Sequence, residues 1–353
     1  MLFNSIEFIV FLAVVLLGHF ALIPRRLPRL RKGFLLVVSY GFYMAWNPPF
    51  GLLLLFSTVL DFSVAQWMER AATPGRRKAL LGLSLIGNLG VLGFFKYRDF
   101  VLETLYALFG AALWPVQPPA LDLVLPIGIS FYTFQTLSYA IDVYRGSQRA
   151  ARSFLDFALY ISFFPQLVAG PIVRSSVFLP QLRRAPRVAT YDVEAALVRI
   201  GSGLVKKVVF ADVLGGYVDP VFSSPDTYGG LNLLLAVYAY AFQIYFDFSG
   251  YSDIAIGLAR LFGYRIPENF DRPYLAASPR EFWRRWHISL STWLRDYLYV
   301  SLGGNRVPAV RVQLNLMITM LLGGLWHGAN WNFVLWGGFH GFLLSLQRAV
   351  PYP

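Results

Sequence analysis

Residues 323–337 read GGLWHGANWNFVLWG, and they place His327 between two tryptophans with apolar, helix-like sequence on both sides. The chain has only four histidines in 353 residues. Apolar runs of this kind predict membrane helices before and after the histidine. The glycines around it would let a second helix or a ligand approach the imidazole closely. From these residues alone, His327 is either a structural residue or a catalytic one.

The composition of the whole chain is that of a membrane protein. Hydrophobic residues make up 56% and charged residues 14%, against about 25% charged residues in a soluble domain. The net charge of +12 comes from basic residues in short blocks between apolar runs. This pattern indicates basic cytoplasmic loops and contact with anionic lipids, not with nucleic acid. The absence of cysteine excludes disulfides and a cysteine nucleophile.

Many apolar runs approach the length of about 20 residues that crosses a bilayer as a helix. The basic loops 24–32 and 69–78 flank two such crossings, so we expect both loops in the cytoplasm and the N-terminus outside. Pro and Gly interrupt the runs at 125–130 and 164–174, which predicts broken or re-entrant helices around a cavity. Residues 114–120 are rich in proline and predict a loop. The predicted apolar segments are 6–24, 33–47, 50–68, 79–97, 101–115, 122–144, 154–173, 196–218, 231–263, 310–326 and 331–350.

Two carboxylates, Asp247 and Asp253, lie inside the apolar run 231–263. They are six residues apart, so they do not share one helical face closely. A carboxylate in a membrane helix costs free energy and usually faces a cavity or a cationic partner. Arg260, or an arginine further along the chain, is a candidate partner. Two interpretations stay open: structural ion pairs that hold the helices together, or the lining of a polar tunnel.

Arginine and tryptophan alternate in residues 278–306. Ser278, Pro279 and Glu281 predict the start of an amphipathic helix, with Ser278 as its N-cap, and we expect His287 to lie on that helix. Such a helix suits an anchor at the membrane face. It equally suits a cytoplasmic mouth whose arginines bind an anionic donor such as coenzyme A. The residues concerned are Arg280, Trp283, Arg284, Arg285, Trp286, Trp293, Arg295 and Arg306.

Several motifs are absent from the sequence. His327 and His340 do not have the spacing of a zinc site, and no H-E-x-x-H occurs, so no metal is predicted. His19, the histidine in the first apolar run, is predicted to be structural. A Walker A loop and a G-x-S-x-G elbow are also missing, which argues against ATP-driven transport and a serine hydrolase.

Taken together, residues 245–306 and 321–341 closely resemble the membrane-bound O-acyltransferase (MBOAT) superfamily. Within it, the sequence is similar to the bacterial branch that O-acetylates alginate and related exopolysaccharides, a relative of the teichoic acid D-alanyl transferase. The likeness extends to residues 125–146 and 163–174 and covers essentially the whole chain.

The resemblance, together with the apolar runs, implies an all-α polytopic membrane protein. We expect roughly 9–11 membrane helices, some of them broken or re-entrant, around a central tunnel. The chain is expected to be a single membrane-bound O-acyltransferase domain over residues 1–353. Members of this branch usually continue with further helices, and their absence could leave the cavity open.

The resemblance also assigns roles to residues. The family's membrane histidine falls on His327, and its second conserved polar position falls on His287. Acyl transfer to a hydroxyl needs a base, and a buried imidazole stays neutral and basic near physiological pH. His327 is therefore predicted as the general base, deep in the tunnel, and His287 as the residue that orients or polarises the thioester or the acceptor. The predicted substrate-binding residues are Arg280, Arg284, Arg285, Trp286, Arg295, Asp247, Asp253, Trp326 and Asn330.

The function implied by the resemblance is acyl transfer in a bacterial inner membrane, by a multi-pass protein. Acetyl-CoA or another acyl thioester would be the donor substrate, with no bound cofactor. The acetyl group would cross the membrane for O-acetylation of an exopolysaccharide such as alginate, directly or through an extracytoplasmic acetyltransferase partner. The alternatives are a D-alanyl, lipid or protein acyltransferase of the same superfamily. A transporter, from a different class, would act without an acyl donor.

Overall fold

The computed structural model describes residues 3–110, 120–121, 123–184 and 188–350. These residues form helices joined by turns, with no strand among them. The helices are α1 (Ile6–Leu16), α2 (Pro28–Met44), α3 (Phe50–Arg70), α4 (Pro74–Leu92), α5 (Arg98–Phe109), α6 (Ile129–Arg145), α7 (Phe154–Ser162), α8 (Phe164–Leu167), α9 (Ser175–Leu182), α10 (Thr190–Leu204), α11 (Asp212–Ser223), α12 (Gly230–Leu261), α13 (Pro279–Arg285), α14 (Ile288–Trp293), α15 (Ala309–His327) and α16 (Trp331–Ala349).

Four continuous helices are long and apolar enough to cross a membrane: α3, the combined helix Pro74–Phe109, α12 and α15. Many of their apolar side chains are exposed, for example Leu231 at 70% and Ile86 at 75%. Exposed apolar surface on this scale is suited to lipid, since soluble proteins expose only small apolar patches. The all-helical architecture with several long apolar helices agrees with the predicted polytopic membrane fold.

Most predicted segments match helices closely, but the pair 79–97 and 101–115 does not form two helices. Residues 74–109 form one 36-residue helix, with a π-helical turn at Gly93–Tyr97. The charged residues at this point interrupt the hydropathy but not the backbone, because none of them is a helix breaker. The last residues of the second segment, and most of the predicted loop 114–120, lie outside the described residues.

The predicted break in the run 154–173 is confirmed. Helix α7 ends at Ser162, and Phe163 leaves the helical conformation with a ψ of 108°. The short helix α8 begins at Phe164, and Pro165 is its second residue. Tyr160 donates a hydrogen bond to the Val173 carbonyl at 2.9 Å, and Gln166 donates to the Tyr160 carbonyl at 2.7 Å. These side chains satisfy the Tyr160 carbonyl in the last turn of α7 and the Val173 carbonyl in the non-helical segment that follows α8.

The chain divides into two compact units. Unit 1 comprises Met1–Leu52 and Ser153–Asn269, and unit 2 comprises Leu53–Arg152 and Phe270–Pro353. In unit 1, α10 packs closely on α12 because glycines face each other: a Cβ on Gly203 would lie 2.6 Å from the Gly250 carbonyl oxygen. Small residues at such contacts let membrane helices approach backbone to backbone.

Unit 2 contains a similar contact between α15 and α16. A Cβ on Gly324 would collide with the Phe333 carbonyl oxygen, and a Cβ on Gly337 would collide with the Met320 carbonyl oxygen. The sequence prediction that glycines near His327 allow a close helix approach is therefore confirmed. This contact holds the end of α15, which carries His327, against the start of α16.

A polar cluster lies inside unit 2. Asp61 of α3 is fully buried and accepts hydrogen bonds from Ser84 and Asn88 of α4. Asn88 in turn accepts a hydrogen bond from Thr136 of α6 at 3.3 Å. A buried carboxylate needs such donors, since an unsatisfied one would cost several kcal/mol. The cluster joins three helices of the unit that carries the candidate site.

The helix that begins at Ser278 is shorter than the sequence predicts. The Ser278 hydroxyl accepts a hydrogen bond from the Glu281 N–H at 3.2 Å, so the N-cap is confirmed. Helix α13 nevertheless ends at Arg285, and His287 has a left-handed φ of 42°. The prediction that His287 lies on the helix is therefore wrong. The residue forms the turn between α13 and α14, because a left-handed residue cannot continue a right-handed helix.

Candidate active site

His327 is the last residue of α15, and Gly328 continues in an extended conformation. Aromatic rings surround the imidazole: the ring of Trp326 lies 5.0 Å from it, that of Trp336 5.2 Å and that of Phe333 6.4 Å, between centroids. The residue is nevertheless exposed, so its imidazole is open to a ligand. A side chain that lines a tunnel is exposed as well, and the predicted position of His327 deep in a tunnel stays a prediction. Because α15 ends at this residue, no further turn of that helix covers the imidazole.

His287 is the buried member of the histidine pair, with only 1% of its surface exposed. Its ring centroid lies 6.5 Å from that of His327 and 5.7 Å from that of Trp326. Burial, with a smaller contribution from His327, lowers the pKa of His287 well below its ordinary value. A neutral imidazole can accept or donate one hydrogen bond at each nitrogen.

The two histidines come from distant parts of the sequence, and unit 2 brings them together as the resemblance implies. Two imidazoles at 6.5 Å are too far apart for a direct contact between ring atoms in the usual hydrogen-bond range. They are close enough to flank one small reacting group. The left-handed turn at His287 and the helix end at His327 therefore create a two-sided polar site within aromatic surroundings.

Lys96 reaches this site from the π-helical turn Gly93–Tyr97. Its ammonium donates a hydrogen bond to the Trp326 carbonyl and lies 5.6 Å from the Trp326 ring centroid. The next residue, Tyr97, donates to the Leu325 carbonyl at 3.0 Å. Sequence reasoning missed both residues, since Lys96 was placed at the end of an apolar segment. A lysine inside a membrane helix is itself a signal of function, and the continuous helix puts it there.

The indole of Trp326 provides an unused donor beside the histidines. Trp326 is 7% exposed, and its ring packs on Phe131 and Phe134 at 5.4 and 5.7 Å. Its Nε1–H has no hydrogen-bond partner among the described residues. A buried donor left unpaired is costly and often has a functional explanation. The N–H is available to a carbonyl oxygen or oxyanion of a bound substrate.

Three of the predicted arginines line one cavity of about 360 Å³ in unit 2: Arg280, Arg284 and Arg295. Arg348 and Trp283 also line it, and sequence reasoning did not assign Arg348 to this group. Arg295 pairs with Asp296 at 2.7 Å, whereas Arg280 and Arg284 have no carboxylate partner among the described residues. The cavity is therefore positively charged, as a site for an anionic ligand would be.

Three other predicted binding residues have different surroundings. Arg285 pairs with Glu281 at 2.6 Å, one helical turn away. Trp286 is buried against Phe282 and Phe270, with ring centroids at 5.5 and 5.1 Å. Asn330 caps α16, since its side chain accepts a hydrogen bond from the Asn332 N–H at 2.8 Å. All three contacts are structural, and their predicted role in substrate binding stays a prediction.

Asp247 and Asp253 belong to unit 1 and form ion pairs there. Asp253 accepts from Arg199 at 2.8 Å and from Lys206 at 2.6 Å, and Asp247 pairs with Lys207 at 2.7 Å. The proposed partner Arg260 pairs instead with Asp192, at 3.1 Å. Asp253 of α12 contacts Arg199 of α10 and Lys206 of the π-helical segment that follows α10, because α10 packs directly on α12. These contacts support the structural interpretation of the two carboxylates.

The fold and this site define an all-helical membrane protein with a histidine pair and a cationic cavity in one unit. A family model described as membrane-bound O-acyltransferase family matches residues 147–351. The chain therefore belongs to the membrane-bound O-acyltransferase family and is an acyltransferase.

Three relatives indicate the branch of the family. The chain is 44% identical, over 99% of its length, to a probable alginate O-acetylase of Azotobacter vinelandii, of which it covers 69%. It is 39% identical, over its full length, to a peptidoglycan O-acetyltransferase of Helicobacter pylori, of which it covers 71%. A teichoic acid D-alanyltransferase of Streptococcus thermophilus is 32% identical over 63% of the chain and 57% of the relative. The predicted kinship with both groups is confirmed.

Proposed function

We propose that this protein transfers an acetyl group from a cytoplasmic thioester donor, such as acetyl-CoA, to an acceptor hydroxyl across a bacterial inner membrane. The chain would cross that membrane several times. The eventual product would be an O-acetylated exopolysaccharide such as alginate. The observation that carries the proposal is the histidine pair His287 and His327, with ring centroids 6.5 Å apart in a chain of this family.

The proposed reaction is a direct acyl transfer. The acceptor hydroxyl attacks the thioester carbonyl carbon while His327 takes the hydroxyl proton as general base. The carbon–sulfur bond breaks, and the proton passes from His327 to the leaving thiolate. The buried His287 would orient the carbonyl or the hydroxyl, and the free N–H of Trp326 would stabilise negative charge on the carbonyl oxygen.

The cavity lined by Arg280, Arg284 and Arg295 supports an anionic donor. Coenzyme A carries several phosphate charges, and guanidinium groups bind phosphate with paired hydrogen bonds. The Trp283 indole N–H has no partner among the described residues and could donate to the same ligand. The immediate acceptor would be an extracytoplasmic acetyltransferase partner or the polysaccharide itself.

The Helicobacter pylori relative carries the name peptidoglycan O-acetyltransferase, so peptidoglycan is the second candidate acceptor. The reaction at the thioester would be the same in either case. The Streptococcus thermophilus relative makes a D-alanyl donor a further alternative. Transfer assays with acetyl-CoA and with a D-alanyl carrier thioester distinguish the two donors.

The first experiment compares wild type with His327→Ala in detergent, using radiolabelled acetyl-CoA and measuring label that leaves coenzyme A. We expect a loss of about 10²–10⁴-fold in the rate, the usual contribution of a general base. His340→Ala is the matched control, since His340 lies in the same aromatic cluster, 4.7 Å from the Trp336 ring between centroids. Retained acetyl transfer in His327→Ala would exclude the proposed base.

A further inference from the structure

Unit 1 contains a second cationic cavity, distinct from the arginine cavity of unit 2. Its volume is about 600 Å³. No acidic residue lines it in the described part of the chain. The charged residues that line it are Arg25, Arg29, Arg31, Lys32, Arg183 and Arg184.

The charge in this cavity is only partly compensated. Lys32 pairs with Asp156. Arg31 is 8% exposed and donates two hydrogen bonds to the Ile23 carbonyl, at 2.8 and 3.0 Å. None of the five arginines forms an ion pair with a carboxylate among the described residues. Like charges gathered around one concavity repel each other, so an anion in the cavity would lower the electrostatic free energy.

A buried imidazole adds an independent observation. His19 is 1% exposed and lines the same cavity. Neither of its ring nitrogens has a hydrogen-bond partner among the described residues. A buried polar side chain without a partner is unusual in a folded protein. A ligand with hydrogen-bonding oxygens in the cavity would satisfy it.

The surroundings of the cavity indicate where such an anion comes from. Phe20, Leu182 and Tyr264 provide apolar or aromatic lining. Helix α1, which leads into the π-helical turn that carries His19, exposes apolar side chains along one face, such as Val10 at 59% and Val14 at 61%, which are one turn apart. An acyl chain could lie along this face while its headgroup enters the cavity. Basic pockets beside membrane helices bind anionic headgroups in this way.

We infer that the cavity of unit 1 lined by Arg25, Arg29, Arg183 and Arg184 is a binding site for a phosphoryl anion, supplied by the headgroup of an anionic phospholipid. The arginines bind the phosphate oxygens, and His19 donates or accepts a hydrogen bond at the inner end. The site does not depend on acyl transfer, so it can be tested without a donor or an acceptor.

The test is native mass spectrometry of the detergent-purified chain with phosphatidylglycerol, phosphatidylcholine or inorganic pyrophosphate as the probe. The test variant is Arg29→Gln with Arg184→Gln, and the matched control is Arg26→Gln with Arg76→Gln. All four arginines are exposed, and the two control residues do not line the cavity. Both variants therefore remove the same charge from exposed positions.

We expect wild type and control to retain phosphatidylglycerol over phosphatidylcholine. The test variant should bind phosphatidylglycerol about 25-fold more weakly, since each arginine near an anionic headgroup contributes about fivefold. If pyrophosphate alone binds with this same dependence on the variants, the site takes its phosphoryl group from solution. The inferred site does not exist if wild type binds phosphatidylglycerol no better than phosphatidylcholine and does not bind pyrophosphate. It does not exist either if the test and control variants lose binding equally.

Discussion

At the scale of single residues, the end of α15 determines where His327 lies. The last carbonyl groups of a helix have no partners within the helix, and a cation near them is stabilising. Lys96 donates to the Trp326 carbonyl and Tyr97 to the Leu325 carbonyl. Lys96 also donates to the Ser130 hydroxyl at 3.3 Å. Lys96 is therefore a positioning residue, which holds the backbone next to the proposed base.

Lys96→Met should lower the transfer rate by about 10–100-fold. The substitution would displace His327 slightly, and a displacement of about 1 Å can slow a reaction by about this factor. Lys96→Arg keeps a cationic donor and should restore most of the rate. Single-turnover rates with labelled acetyl-CoA measure the effect, and thermal midpoints report on folding. Lys78→Met, at an exposed position in the first turns of α4, is the control. A wild-type rate in Lys96→Met would contradict the positioning role.

Asp253 provides a test of the two interpretations of the intramembrane carboxylates. Its side chain is 13% exposed, and its partners Arg199 and Lys206 are 30% and 27% exposed. Asp253→Asn should destabilise the protein by about 1–2 kcal/mol. The loss is no larger because Arg199 and Lys206 are partly exposed, and water weakens their interaction with the carboxylate. Asp247→Asn should have a smaller effect, since that side chain is 47% exposed.

The thermal midpoint in detergent, read beside the acetyl-transfer rate, separates the two cases. A lower midpoint with transfer per folded molecule unchanged supports structural ion pairs. An unchanged midpoint with lost transfer would instead support the lining of a polar tunnel by Asp253.

At the scale of elements, the contact between α15 and α16 shapes the candidate site. The two helices approach at Gly324 and Gly337, where a Cβ would meet the backbone of the facing helix. Backbone cannot move aside as a flexible side chain can, so these positions tolerate only glycine. The same contact brings Trp336 of α16 to 5.2 Å from the His327 ring, between centroids.

Gly324→Ala should therefore separate the two helices and destabilise the protein by about 1–3 kcal/mol, the usual cost of overpacking. Gly338→Ala is the control on the facing helix, since its Cβ would lie 3.4 Å from a Leu321 methyl group, an ordinary contact. The control should be neutral or slightly stabilising, because alanine favours helix over glycine. Equal thermal midpoints for the two variants would show that the contact is not tight.

At the scale of the whole molecule, the distribution of basic loops predicts the orientation in the membrane. The stretches 24–32 and 69–78, each of which spans a helix connection and part of the adjoining helices, are both basic and are separated by two predicted crossings. Both should therefore face the cytoplasm, and the N-terminus should face outside. The chain contains no cysteine, so single introduced cysteines report their own location without background.

We expect a membrane-impermeant maleimide to label Asn4→Cys in intact spheroplasts, and to label Arg26→Cys and Arg76→Cys only after permeabilisation. All three positions are exposed in the structure. Labelling of only one of the two loop variants in intact spheroplasts would mean that an odd number of crossings separates the loops. That result would overturn the predicted orientation.

The sequence by itself determined the class of the protein, because composition and long apolar runs admit few folds besides membrane helices. It also determined the family and identified His287 and His327 as the candidate site, since the motifs that carry the resemblance are short and continuous. The N-cap at Ser278 and the break near Pro165 were likewise local, and local backbone chemistry is readable residue by residue.

Only the tertiary structure decided which side chains meet. Three contacts join residues far apart in sequence: His287 lies beside His327, Lys96 donates a hydrogen bond at the end of α15, and Asp253 pairs with Arg199. The burial of His287 and the exposure of His327 have the same origin, since both depend on where the surrounding helices end. The hydropathy of a segment predicts whether it lies in the membrane, but it does not predict which other helices the segment contacts. These contacts therefore followed only from the packing of the helices.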